Sequence, residues 1–232
     1  MKKRSLYLLV MTALLVVLTA CGGEKETGGT VAPPAEPEAP VAGTMEAAAE
    51  EAFRPGEMNG GVYTNEFLGI GCTLDSNWTY LTDEEIAELN RSTTEQLSDE
   101  EMRAAMEDAS LQDMFAQADG GLVNISITIE NLGVLHGTAM DEARFLEILR
   151  PTVETAFTDI GMTGLVMEAS TETFVGESHA VMNISGTLEA DVPFYQKVVL
   201  IKRGTYMASV SIGSAMENIT ADIAALFYKL DT

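Results

Sequence analysis

Between Leu165 and Gly213 the chain leaves no room for a helix. The spacing there predicts three or four strands, Leu165–Phe174, Ser178–Leu188, Phe194–Lys202 and Thr205–Gly213, joined by short connections that carry glycine or proline. Parallel neighbours need a crossover of a dozen residues or more, so strands joined this tightly pair antiparallel. Such a meander needs other elements packed on its apolar faces. The fold class that follows is α+β, a twisted antiparallel sheet of about six or seven strands sandwiched by helices.

The flanking segments supply the remaining strands and the cover. Val62–Thr64 and Ile70–Leu74 read as strands around the turn from Asn65 to Gly69. The strict alternation from Leu122 to Ile129 marks a strand with one buried face, and Met114–Ala118 reads as its hairpin partner across Asp119-Gly120-Gly121. Thr82 to Glu85 is a capping box opening a short helix through Asn90; Ser98 to Glu101 is a second, with Met102 and Met106 one turn apart. A longer helix starts at Thr138 with Asp141 and carries Ala143, Leu146, Leu149, Val153 and Phe157 on one side. Pro151 is expected to kink or divide it and Gly161 to close it. Ser214 to Glu217 caps a final helix with Ile219, Ile223, Leu226, Phe227 and Leu230 on one face.

Upstream of Val62 the chain changes character twice. Met1 to Arg4 is a basic head, Leu6 to Ala20 is an uncharged apolar run, and the exit reads Leu18-Thr19-Ala20-Cys21. That order is the pattern of a secretory signal. Fifteen residues at about 1.5 Å each span roughly 22 Å, short of the ~30 Å hydrocarbon core. Residues 21–61 are rich in Gly, Pro, Glu and Ala, with Phe53 as their one aromatic residue, and read as a disordered tether. The domain organisation is therefore signal peptide 1–20, lipidated cysteine and tether 21–61, and one α/β domain over 62–232, long enough for one core.

Charge and cysteine count exclude several functions. Lys and Arg number 13 against 36 Asp and Glu, a formal net charge of −23. Removal of Lys2, Lys3 and Arg4 with the signal leaves 10 against 36, or −26. Nucleic-acid binding needs clustered cations that this chain lacks. Two cysteines make neither a disulfide framework nor a multi-thiolate zinc site. Between Thr82 and Asp119 twelve acids stand against two bases, a solvated face of capped helices rather than a calcium loop, for which the Asp-x-Asp-x-Asp-Gly pattern is missing.

Two local patterns resemble known families. Leu18 to Cys21 resembles the lipobox of bacterial lipoproteins, which implies a diacylglycerol thioether on the Cys21 sulfur, anchoring through several acyl chains, and Cys21 as the new N-terminus. The run Tyr63-x-Asn65-x-x-x-Gly69, then Leu74 and Trp78, followed by Thr82 to Ile86, is spaced like the opening hairpin of PsbP-like (Mog/PsbP) domains in bacterial lipoproteins. One departure is Asp75, where such domains often carry a proline. The resemblance spans about Val62 to Leu230 and implies an α/β/α sandwich with an antiparallel sheet, a non-enzymatic accessory or binding role, and no catalytic residues to carry over.

Direct searches for chemistry find little. His136 and His179 have no second histidine or cysteine at ligand spacing, and neither Gly-x-Ser-x-Gly nor Ser-x-x-Lys occurs. Cys72 alternates with Ile70 and Leu74 and reads as a small buried hydrophobe. The 13 methionines read as core filling. Asn-x-Ser/Thr triplets at Asn124, Asn183 and Asn218 have little meaning in a bacterial lipoprotein. Lys197, Lys202 and Arg203 form a small basic spot on consecutive sheet elements. The expected function is a non-catalytic accessory or binding protein, lipid-anchored on the extracytoplasmic face of the cell membrane, with no metal or cofactor and a protein or small-molecule envelope partner. The alternative is an envelope hydrolase built from carboxylates and one histidine.

Overall fold

A computed structural model describes residues 53–82, 84–88, 110–133 and 137–231. Among the described residues, eleven strands form two antiparallel sheets. The small sheet contains β1 (Glu57–Asn59), β2 (Val62–Asn65), β3 (Ile70–Thr73) and β11 (Phe227–Lys229), in the order β1-β2-β3-β11. The large sheet contains β4 (Thr79–Tyr80), β5 (Ser110–Ala118), β6 (Val123–Asn131), β7 (Thr163–Phe174), β8 (Glu177–Leu188), β9 (Val192–Arg203) and β10 (Tyr206–Ala215). Its order is β4-β5-β6-β10-β9-β8-β7, so the expected meander occupies one side and the β5–β6 hairpin closes onto β10. Seven antiparallel strands agree with the six or seven expected.

Alternation sorts the side chains of the large sheet onto two cores. On one face Ile125, Ile127, Val199, Val210 and Ile212 pack against Tyr63, Cys72 and Phe227 from the small sheet and Ile223 from helix α2 (Thr220–Ala224). On the other, Met182, Ile184, Val198 and Leu200 pack against helix α1 (Glu142–Asp159). The second cover is thus a small sheet with one short helix, not the helix layer expected.

Three local readings are corrected. Helix α1 is capped by Asp141, whose carboxylate accepts from Arg144 N, with Thr138 in the preceding turn. Phe145, Leu146, Leu149, Val153 and Phe157 are its buried stripe, whereas Ala143 is exposed. It runs through Pro151 as one helix, and Gly161 follows it at φ +83°, the left-handed stop expected. The final helix is five residues long and gives way to β11, because Phe227, Tyr228 and Lys229 pair with Cys72, Gly71 and Ile70. The alternation of β6 does not leave an exposed face: Asn124, Ser126, Thr128 and Glu130 are buried too.

Residues 53–61, assigned by composition to the tether, belong to the fold. Glu57, Met58 and Asn59 pair with Thr64, Tyr63 and Val62. Phe53 stacks on Tyr206 and meets Phe67 edge-on, at centroid separations of 5.2 and 5.4 Å. Residues 84–88 are helical and open with the capping box read from sequence: Thr82 Oγ1 accepts from Glu85 N, and Glu85 Oε2 accepts from Thr82 N. The end of that helix at Asn90, the second box at Ser98 with Met102 and Met106, residues 1–52 with Cys21, and His136 lie outside the described residues.

Candidate functional site

The spaced Tyr63, Asn65 and Gly69 of the opening hairpin form a latch between the sheets. A register shift in β5 between Gln112 and Met114 turns Asp113 out of the ladder. Its carboxylate accepts from Tyr63 Oη at 2.5 Å, Asn65 Nδ2 at 2.9 Å and Gly56 N at 2.8 Å. Asn65 Oδ1 in turn accepts from Leu68 N, and Gly69 completes that turn at φ +70°. Burial, then the neighbouring Asp113 charge, pushes the Tyr63 hydroxyl well above its ordinary pKa. The pattern is structural, and its acceptor, Asp113, is one of the acids counted in the Thr82–Asp119 stretch.

His179 is 5% exposed and stands where β8 and β9 separate. Glu142, in the first turn of α1, reaches between those strands: Oε1 meets His179 Nδ1 at 2.9 Å and accepts from Lys202 N at 3.0 Å, and Oε2 accepts from Ala180 N at 2.9 Å. Burial opposes its ionisation, but these three hydrogen bonds outweigh burial and hold Glu142 below the ordinary carboxylate range. The hydrolase reading needs a histidine with two carboxylates in one pocket; among the described residues His179 hydrogen-bonds to one, Glu142, already engaged with two backbone amides, while the nearby Glu177 pairs with Lys229 and Arg203. Cys72 is buried beneath the small sheet, its thiol pushed up to about 12 by burial. No three or more His, Cys, Asp or Glu side chains come together to hold a metal among the described residues.

The three basic residues lie on one strand, β9, not on consecutive elements, and they do not form a patch. Lys202 Nζ reaches Gly137 O, and Arg203 reaches Leu68 O and Glu177. Lys197 shares the Arg203 face, the one that carries Val199 and Ile201, and there it is 7% exposed and donates to Glu172 Oε2 at 2.6 Å. Glu172 Oε1 accepts from Asn183 Nδ2 at 2.8 Å and Ser170 Oγ at 3.1 Å. The Lys197 bond, ahead of burial, leaves Glu172 below its ordinary value.

This Lys197–Glu172–Asn183 group separates two clefts that run beneath α2. One, of about 260 Å³, has Lys197 and Glu172 at one end and Phe174, Val181, Val199 and Phe227 as walls. Its floor is buried, whereas Thr173, Ala221 and Ala225 at its rim are exposed. The other, of about 170 Å³, is polar, with Glu168, Asn183, Tyr195, Asn218 and Thr220 around it. The alanines of α2 make this space, since a bulkier residue at Ala221 or Ala224 would fill it. Sequence reasoning marked Lys197 but missed Asn183, its register partner on β8, and Glu172, which lies on β7 four residues beyond that row and reaches Lys197 diagonally. The available signal was a lysine at the head of the apolar run Val198 to Ile201.

A second polar region lies on the opposite face of the large sheet. Gln112 Nε2 donates to Met114 O, Ile127 O and Ser126 Oγ. Asn124 Oδ1, Glu130 Oε1 and Gln196 Oε1 are buried with no hydrogen-bond partner among the described residues. Asn124 and Gln196 flank Gly213 in register, and a Cβ at Gly213 would meet the Asn124 amide at 3.0 Å.

No protein-family model and no curated protein matches this sequence. Among solved structures, the fold is similar to cyanobacterial PsbP (CyanoP) from Synechocystis sp. PCC 6803, at TM-score 0.45 and 9% identity over 81% of this chain and 99% of that one. It is similar to a Bacteroides thetaiotaomicron VPI-5482 protein at TM-score 0.40 and 11% identity, covering 75% of this chain and 50% of the other. It is also similar to LpqN, involved in cell envelope biogenesis of Mycobacterium tuberculosis, at TM-score 0.33 and 12% identity, over 70% and 83% of the two chains.

Proposed function

We propose that this protein is a lipid-anchored, extracytoplasmic binding or accessory protein of the bacterial cell envelope, with no catalysis of its own. One observation carries the reading: the apolar run Leu6 to Ala20 ends on Leu18-Thr19-Ala20-Cys21, placing a nucleophilic thiol where a lipobox requires it. Anchoring by two or more acyl chains, at about 0.8 kcal/mol per buried CH₂, holds a protein of this charge at a membrane surface. The binding role is supported by the cleft beneath α2, which combines apolar walls with an ion pair whose lysine is buried, the composition of a small-molecule site. Its non-catalytic character is supported by the engagement of His179 and Glu142 in joining α1 to β8 and β9.

The test is metabolic labelling with radioactive palmitate, followed by membrane fractionation. The wild-type chain is expected to take label and sediment with membranes. Cys21→Ser is expected to lose both the label and membrane retention, and membrane retention unchanged in that variant refutes the anchor.

A further inference from the structure

We propose that the cleft beneath α2 binds a free α-amino acid with an apolar side chain, the zwitterion lying across Lys197 and Glu172. The inference rests on the binding role proposed above and adds the chemical class of the ligand.

The argument begins with the unused capacity of the ion pair. An ammonium carries three donors. Among the described residues Lys197 Nζ has Glu172 as its hydrogen-bond partner, at 2.6 Å, yet its side chain is only 9% exposed. A buried cation with spare donors beside a cleft calls for an acceptor of opposite charge. Glu172 stands nearer the solvent, its side chain 38% exposed, so the pair offers a deep cation and an outer carboxylate. A ligand bearing an anion alone fills the Lys197 donors but brings its charge against Glu172 with no cation to offset it. A ligand bearing a cation alone leaves the deep Lys197 donors unfilled. A zwitterion satisfies both ends: its carboxylate faces the Lys197 ammonium and its ammonium faces the Glu172 carboxylate.

The apolar part has a place of matching size. About 260 Å³ is room for eight or nine waters at ~30 Å³ each, the scale of one leucine or phenylalanine. Its walls are Phe174, Val181, Val199, Phe227 and the alanines of α2, which present only methyl groups. The hairpin turn at one end of the cleft is Val175-Gly176, with φ of +47° and +85°. A β-branched residue is strained in that region, where asparagine or glycine is the usual occupant. Val175 nonetheless packs its side chain against the core and lines the cleft, so the strained turn shapes one end of it.

The experiment is isothermal titration of the full chain, produced without lipid, with L-leucine and L-phenylalanine. Two leucine analogues serve as controls: 4-methylpentanoate, which lacks the amino group, and 3-methylbutylamine, which lacks the carboxylate. Saturable binding of at least one amino acid, tenfold or more tighter than either analogue, is the expected result. Lys197→Met is expected to weaken it at least tenfold. Ala224→Leu, which fills the cleft and leaves the ion pair in place, is expected to abolish it while the melting temperature stays or rises. No heat from any probe at 10 mM overturns the proposal, as does a carboxylate analogue that binds as tightly as leucine, or undiminished binding in Ala224→Leu. Failure of the anchor would register in the fractionation of Cys21→Ser and leave these titrations untouched.

Discussion

Glu130 stands on β6 in register with Ser110 of β5 and Met207 of β10, and Lys202 lies one strand further, its ammonium directed to Gly137 O. Burial pushes the Glu130 carboxyl from 4.5 up to about 8. Between those values the folded chain keeps a proton that the unfolded chain has released, so stability falls as pH rises through this window. Glu142 imposes the opposite slope: its folded pKa lies below the ordinary value, so its contribution is present at neutral pH and lost on acidification through that lower value. Glu130→Gln removes the penalised charge. It is expected to stabilise the protein by on the order of 2–3 kcal/mol at pH 7 and by little at pH 4. Urea unfolding at a series of pH values measures this, and equal gains at both pH values would show that ionisation is not the cause.

At the scale of elements, the small sheet depends on segments that composition conceals. β1 is three residues beside glycines and Pro55, and its hold on the domain is mostly backbone: the ladder with β2 and the Gly56 N–H to Asp113. Removing residues 22–52 is therefore expected to leave the melting temperature unchanged. Removing 22–61, and with it β1 and the Phe53 stack, is expected to lower it by about 5–10 °C, at roughly 2–4 °C per kcal/mol for a domain of this size. Equal melting temperatures for the two deletions, followed by circular dichroism, would mean that β1 contributes nothing. The meander was legible to within two residues at each strand end, because apolar alternation with glycine turns has one local solution. β11 was not, because Ile219, Ile223, Phe227 and Leu230 fit a helical stripe equally well. The decision comes from Gly71 on β3, whose missing side chain gives Tyr228 its seat: a Cβ there would lie 2.6 Å from the ring. The cleft was half legible for the same reason, since Lys197 stands out in an apolar strand but Glu172 reaches it diagonally across β8, from four residues outside its register row.

For the whole molecule the dominant quantity is charge, a formal −23 over the full sequence. Exposed ion pairs among the described residues, such as Lys229–Glu177 at 2.7 Å, are individually weak. Self-repulsion at low ionic strength therefore acts against the compact state, and it is screened as the Debye length falls from ~30 Å at 0.01 M salt to ~8 Å at 0.15 M. A melting temperature that rises by a few degrees across that range is the expected result in calorimetry, and a fall would show that attractive pairs dominate. The pairing of β11 with β3 has a consequence for biosynthesis. Phe227 meets Cys72 across more than half the chain, and α2 and Phe227 wall one side of the cleft. While the polypeptide emerges N-terminus first, β2 and β3 are exposed long before the strand that completes their sheet. The cleft beneath α2 is thus the last part of the domain to come into being, after nearly every residue has been synthesised.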